Sequence, residues 1–124
     1  MILLFNIAGE KLARIRMIAA RLGIDCIEIE PLDFSRTLEE LTSRCARGEA
    51  PESAPFSEEM LIMDGLIESD FSALLYSLRT EGAAVALKAV VTEHNLCWTA
   101  AALAKELKAE HERLLEAVRA GKTE

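Results

Sequence analysis

Two short runs without a polar residue constrain this chain more than anything else in it. Met1-Ile2-Leu3-Leu4-Phe5 and Met60-Leu61-Ile62-Met63 are continuously apolar; the first is followed by Asn6 and the second by Asp64-Gly65. A strand covered on one face alternates polar and apolar side chains, and a strand covered on both faces does not. The runs therefore predict two central strands, at residues 1–7 and from Met60, with helices above and below. Ile24 to Glu30 reads differently: Ile27 and Ile29 face inward, Glu28 and Glu30 outward. One wet face marks an edge strand, and its carboxylates discourage edge-to-edge pairing. Val85 to Thr92, with Lys88 in its middle, reads as the second edge.

Helical stretches separate these strands. Gly9 to Leu22 places Leu12, Ile15, Ile18, Ala19 and Leu22 on one face, with Gly23 as the stop. A second helix starts near Thr37, where Thr37 and Glu40 form a capping box and Leu38, Leu41 and Cys45 a thin stripe. Ser69 is the expected cap of a third, with Phe71, Leu74, Leu75 and Leu78 inward and Gly82 as its stop. Thr99 caps the last helix, with Trp98 and Leu103 at the spacing of a hydrophobic staple. Its stripe is Leu103, Leu107, His111, Leu114 and Val118. A helix over 100–119 runs about 30 Å at 1.5 Å per residue, whereas a six-residue strand covers only about 20 Å. The last turns should overhang the sheet.

Each strand is followed by a helix, so successive strands are expected to be parallel. With dry strands central and wet strands at the edges, the order is 2-1-3-4. The expected fold class is α/β: a single domain over 1–124 with a four-stranded, mostly parallel sheet and helices on both faces. That is a flavodoxin-like arrangement without a fifth strand. A split, ferredoxin-like sheet is the alternative and requires antiparallel pairs. Residues 48–57, with Pro51 and Pro55, read as a mobile loop, and no internal repeat is evident.

Composition narrows the function classes. A chain that is 51% hydrophobic and 28% charged is not disordered or low-complexity. Fourteen basic against 21 acidic residues give a net charge of −7, which repels nucleic acid and anionic lipid. The N-terminal run is too short to span a membrane, which needs about 20 apolar residues. It also lacks the basic flank of a signal peptide. Cys26, Cys45 and Cys97 form no close pair, which suits reduced thiols in a cytoplasm.

In an open parallel sheet, ligands settle beyond the carboxyl ends of the strands. The candidate ligand-binding rim is therefore Asn6, Asp64, Thr92, His94 and Asn95. Ala8-Gly9-Glu10 lacks the glycine pattern of a phosphate cradle and places a carboxylate beside it. Asp64 and Thr92 invite a phospho-acceptor reading. Such a site needs a carboxylate pair after the first strand, where Asn6 stands, and a lysine from a fifth strand. Glu93, His94 and Cys97, with His111 a helix away, fall short of the ligand set that zinc requires. Cys97 and His94 lack an accompanying oxyanion device. No catalytic residue, metal site or cofactor is assigned.

From Lys88-Ala89-Val90-Val91-Thr92-Glu93-His94-Asn95 through Trp98-Thr99 to Leu107-Lys108-Ala109-Glu110-His111-Glu112, the chain resembles a bacterial family known as domain of unknown function 3783. The resemblance extends from about residue 58 to 113. Lys88, Thr92, Asn95, Trp98, Thr99 and His111 match the family pattern, whereas His94 and Cys97 fall at variable positions. The resemblance implies the fold and a bacterial source and supplies no reaction. Lys88, Trp98, Thr99 and His111 are expected to act structurally, with Asn95 bracing the turn before the last helix.

Two functional expectations follow. The first is a small non-enzymatic binding or regulatory module. It self-associates as a homodimer through Leu114, Leu115 and Val118, with His111 between core and interface. The second is a small-molecule-binding protein or enzyme that uses the rim residues.

Overall fold

The computed structural model describes residues 1–43 and 56–121. Among these, β1 (Ile2–Phe5), β2 (Cys26–Glu28), β3 (Met60–Met63) and β4 (Leu87–Val90) form one sheet in the order β2-β1-β3-β4. Every side chain of β1 and β3 is buried, as central strands require. The helices are α1 (Gly9–Leu22), α2 (Leu38–Ser43), α3 (Glu68–Thr80) and α4 (Ala100–Gly121), with a 3-10 turn at Pro31–Asp33.

The side-chain period of two sorts the core into two layers. Ile2, Leu4, Leu61 and Met63 meet Ile15, Ile18 and Ala19 of α1 and Leu74 and Leu78 of α3. Leu3, Phe5, Met60 and Ile62 meet Leu38 and Leu41 of α2 and Ala100, Leu103 and Ala104 of α4. Ile27 and Ile29 pack against this second layer, and Glu28 stays outside, where it pairs with Arg16. Phe5, Phe34 and Phe56 close one end of that layer, with the Phe34 and Phe56 rings stacked at 4.5 Å between centroids.

The strand order is the expected one, and two of its three pairings are parallel: β1 with β2 and β3 with β4. The central pairing is not. β1 and β3 run antiparallel, Ile2 opposite Met63 and Phe5 opposite Met60. The sheet is therefore mixed and mostly parallel, as expected, and the central pair is the one departure from parallel succession. An apolar run buried on both faces carries no signal of direction. The connection from β2 returns to the end of the sheet where β1 and β2 finish.

The helix ends show local chemistry at work. Gly23 takes φ of 71°, a left-handed conformation open to glycine, and the Ile24 N–H donates to Ala19 O at 2.8 Å to stop α1. Gly82 does the same for α3, with the Ala83 N–H on Leu78 O at 2.9 Å. The Glu40 N–H donates to Thr37 Oγ1 at 3.2 Å and the Thr37 N–H to Glu40 Oε1 at 3.4 Å, the capping box expected for α2. α3 begins at Glu68, ahead of the expected cap, so Ser69 lies inside its first turn. Cys45 and the loop at 48–55 lie outside the described residues.

A repeat that few identical side chains mark is present in the backbone. Adding 59 to residue numbers in β1 and α1 gives the corresponding residues of β3 and α3, so Leu4 maps to Met63, Ile15 to Leu74 and Gly23 to Gly82. After three extra residues before β4, the offset becomes 62: Ile27 maps to Ala89 and Thr37 to Thr99. Each pair lies in the same layer or makes the same backbone contact. The chain is two β-α-β-α halves related by a pseudo-two-fold axis between β1 and β3. The expectation of no internal repeat fails here, because apolar residues of different identity fill equivalent places.

α1 and α3 lie side by side and are joined at one end by charge. Arg14 Nη1 donates to Glu81 O at 2.9 Å, and Arg21 pairs with the Glu81 carboxylate. The hydrogen bond from Arg21 holds the Glu81 carboxyl below its ordinary value of 4.5. A depressed carboxyl contributes stability above its unfolded pKa and loses it as pH falls through the folded one. The urea midpoint of the wild type is expected to drop more steeply below pH 4.5 than that of Glu81→Gln. In the core, Leu61 is fully buried. Leu61→Ala should cost about 2–5 kcal/mol of unfolding free energy, against about 0.5 kcal/mol or less for Met17→Ala on the exposed face.

Candidate functional site

The antiparallel centre decides where the rim residues go. Asn6 leaves β1 beside the start of β3, whereas Asp64 leaves β3 beside the start of β1. At about 3.3 Å per residue, a strand length of some 10–15 Å separates them. The expected rim is thus divided between two ends of the sheet.

At the first end, Asn6 adopts φ of 60°, left-handed backbone that asparagine tolerates better than most residues. Its Nδ2 donates to Phe56 O at 2.8 Å and Glu58 O at 3.0 Å, which ties the exit of β1 to the approach of β3. Around it, Lys11 Nζ pairs with Glu59 at 2.6 Å and Lys108 Nζ of α4 with Glu58 at 3.4 Å. The N-terminus of α1 has no side-chain cap and carries Glu10 in its first turn. Carboxylates there oppose an anionic ligand.

At the other end, Asp64 contributes its backbone: its N–H donates to Met1 O at 2.8 Å, and its carbonyl accepts from the N-terminal ammonium at 3.0 Å. Thr92 and Asn95 satisfy one another. The Thr92 N–H donates to Asn95 Oδ1 at 2.8 Å, the Asn95 N–H to Thr92 Oγ1 at 3.3 Å, and Asn95 Nδ2 to Val90 O at 3.0 Å. Asn95 therefore braces the turn from β4 to α4, as expected. The Ala102 N–H donates to Thr99 Oγ1 at 3.1 Å, so Thr99 is the cap it was expected to be. Lys88 on the edge strand donates to Val85 O at 2.7 Å.

Three further side chains face solvent. Trp98 remains 39% exposed and enters neither core layer. The Leu38 N–H donates to Trp98 O at 2.9 Å. Cys97 is exposed. His111 is exposed along a helix whose residues 110–118 all face solvent. His94 is exposed as well. Among the described residues, no three His, Cys, Asp or Glu side chains converge as metal ligands do.

What sequence reasoning missed lies beside β2. A cavity of approximately 430 Å³ there is lined by Cys26, Ile27, Glu28, Ile29, Asp33, Arg36, Glu40 and Leu41. Arg36 is a buried cation: Nε donates to Asp33 Oδ1 at 2.7 Å and Nη1 to Glu40 Oε2 at 3.3 Å. Those carboxylates, Asp33 first, raise its pKa further. A buried charge stays only where it is paired, and Asp33, Arg36 and Glu40 at steps of three and four residues were the available signal. Burial pushes the Cys26 thiol up, opposed in part by Arg16, which leaves a poor nucleophile. A second cavity of approximately 350 Å³ lies by β4, between Leu75, Leu78, Arg79, Ala84, Val85 and Lys88.

The turn held by Thr92, Asn95 and Thr99 and the helices beside it form a β-α-β-α unit with a recognisable sequence. Residues 59–114 match the model of a family described as Domain of unknown function (DUF3783). The matched span opens just before β3 and closes within α4. No curated protein and no solved structure matches the chain.

The hydrogen bonds rank the motif residues. Asn95→Ala removes the side-chain bonds of the turn and should lower stability by about 1–2 kcal/mol, and Thr99→Ala by about 1 kcal/mol. His94→Ala should stay within about 0.5 kcal/mol of the wild type in the same urea titration.

Proposed function

We propose that this chain is a small non-enzymatic binding or regulatory module of a bacterial cytoplasm that works as a homodimer through the free end of α4. One observation carries the reading. α4 outruns the sheet, and Leu114, Leu115 and Val118 stand 65%, 46% and 57% exposed on it. Leu107 is the last stripe residue to touch the core. Positions i, i+1 and i+4 share one side of a helix, so the three aliphatics form a single patch. The flank carries both signs of charge, with Arg113 on Glu106 at 3.4 Å. An apolar patch of this kind is matched by its own copy across a two-fold axis, where each surface supplies what the other needs. The chain's net charge of −7 disfavours nucleic acid or an anionic membrane as the alternative cover. The compartment reading is supported by the free thiols of Cys26 and Cys97. No described helix is long and apolar enough to cross a membrane.

The cavity beside β2 supports a second reading, a small-molecule-binding protein. Its volume of approximately 430 Å³ falls in the range of ligand sites, which begins at about 300 Å³. The polar groups are Glu28, Asp33, Arg36 and Glu40, not the rim residues expected from sequence.

Sedimentation separates the readings. The wild type is expected to sediment as a dimer at micromolar concentration and a Leu114→Glu, Val118→Glu variant as a monomer of unchanged helicity. A monomeric wild type ends the dimer proposal. A melting temperature raised by one class of small molecule in a metabolite panel, with no change in mass, moves the assignment to the cavity.

A further inference from the structure

The pseudo-two-fold axis relates more than strand order. Where the halves meet on the α2 and α4 side, they exchange backbone hydrogen bonds reciprocally. The Leu38 N–H donates to Trp98 O at 2.9 Å, and its counterpart, the Ala100 N–H, to Arg36 O at 3.1 Å. The Glu39 N–H donates to Leu96 O at 3.0 Å, and the Ala101 N–H to Phe34 O at 2.9 Å. Thr37 and Thr99, each the cap of its own helix, face one another in an antiparallel bridge. This is the pattern of a two-fold subunit interface, in which residue i meets j and the copy of j meets the copy of i. Here it occurs inside one chain.

We infer that the second half carries a complete dimerisation surface of its own, the edge of β3 that β1 covers in this chain with the first turn of α4, whose fitting partner is a second copy of the same β-α-β-α unit. The first half occupies that place within the chain. Three observations converge on this. β3 is buried on both faces, and without β1 it would expose an unpaired apolar edge, so the second half requires a partner strand. A sheet of β3 and β4 alone is too small for independent stability. The sequence unit matched by the family, residues 59–114, is one half and not the whole sheet. The partner surface is also geometrically available. The β1–β3 pairing runs antiparallel and keeps Leu4 and its counterpart Met63 in one layer and Leu3 and Ile62 in the other. A β3–β3 pairing in the same sense preserves both layers.

This surface differs from the free end of α4, and the test keeps the two apart. The Leu114→Glu, Val118→Glu chain is produced at full length with a protease site inserted after Ala50, cut in the folded state, and unfolded in urea. The two pieces are then refolded together with the second half in molar excess. Native mass spectrometry is expected to show the first–second pair and, from the excess, a species of two second halves. Amide exchange at Ala100 and Ala101 is expected to be slowed in both. If the first–second pair re-forms while the excess stays monomeric or precipitates, the inference is overturned. Failure of that pair to re-form overturns it equally, because an interface between subunit-like halves must assemble from its parts.

Discussion

The antiparallel pairing of β1 with β3 is the interaction on which the rest of the molecule depends. Both strands are buried on both faces, so each main-chain polar group along their shared edge needs the other strand. Their registry, Ile2 on Met63 and Phe5 on Met60, aligns two apolar layers of α1 with α3 and α2 with α4. It also sets the two ends of the sheet. Groups following β1 and groups following β3 lie at opposite ends, so the carboxyl rim of the sheet is divided in two.

The second consequence is how polar groups are used. A helix N-terminus leaves unsatisfied N–H groups that commonly attract anions. In α2 and α4, first-turn donors are taken by carbonyls of the opposite half and by the caps Thr37 and Thr99. Thr92 and Asn95 bind each other and Val90. The conspicuous polar motif of the second half thus fixes the turn that delivers α4 to the interface between halves. Its chemistry is spent on shape. The family match covers this unit, and the roles of Asn95 and Thr99 are set by backbone donors and acceptors within it.

What the fold leaves exposed past the core on α4 includes an apolar, peripheral cluster. Past Leu107, α4 no longer touches the core. The aliphatics beyond it are held out by helix continuity, since 22 residues run longer than four-residue strands can cover. The buried Arg36 with Asp33 and Glu40 is the other uncommon feature, a charge cluster at the edge of the sheet beside a cavity of ligand size.

Strand placement, both central runs, the capping box at Thr37, the stops at Gly23 and Gly82, the brace at Asn95 and the overhang of α4 were all legible in the sequence. Each depends on neighbours within a few residues or on the count of apolar faces. Strand direction was not legible, because an apolar run such as Met60-Leu61-Ile62-Met63 reads alike in either sense and its partner lies far away in the chain. From that one undetermined sign followed the division of Asn6 from Asp64 and Thr92. The repeat was hidden for a related reason: packing asks for volume and hydrophobicity at a place, so Ile15 and Leu74, or Ile27 and Ala89, serve the same role without identity. Exposure of Trp98 and His111 likewise depended on how far each element reached across the sheet. Local chemistry wrote the elements, and the long-range pairing of two direction-blind strands decided which side chains share a site.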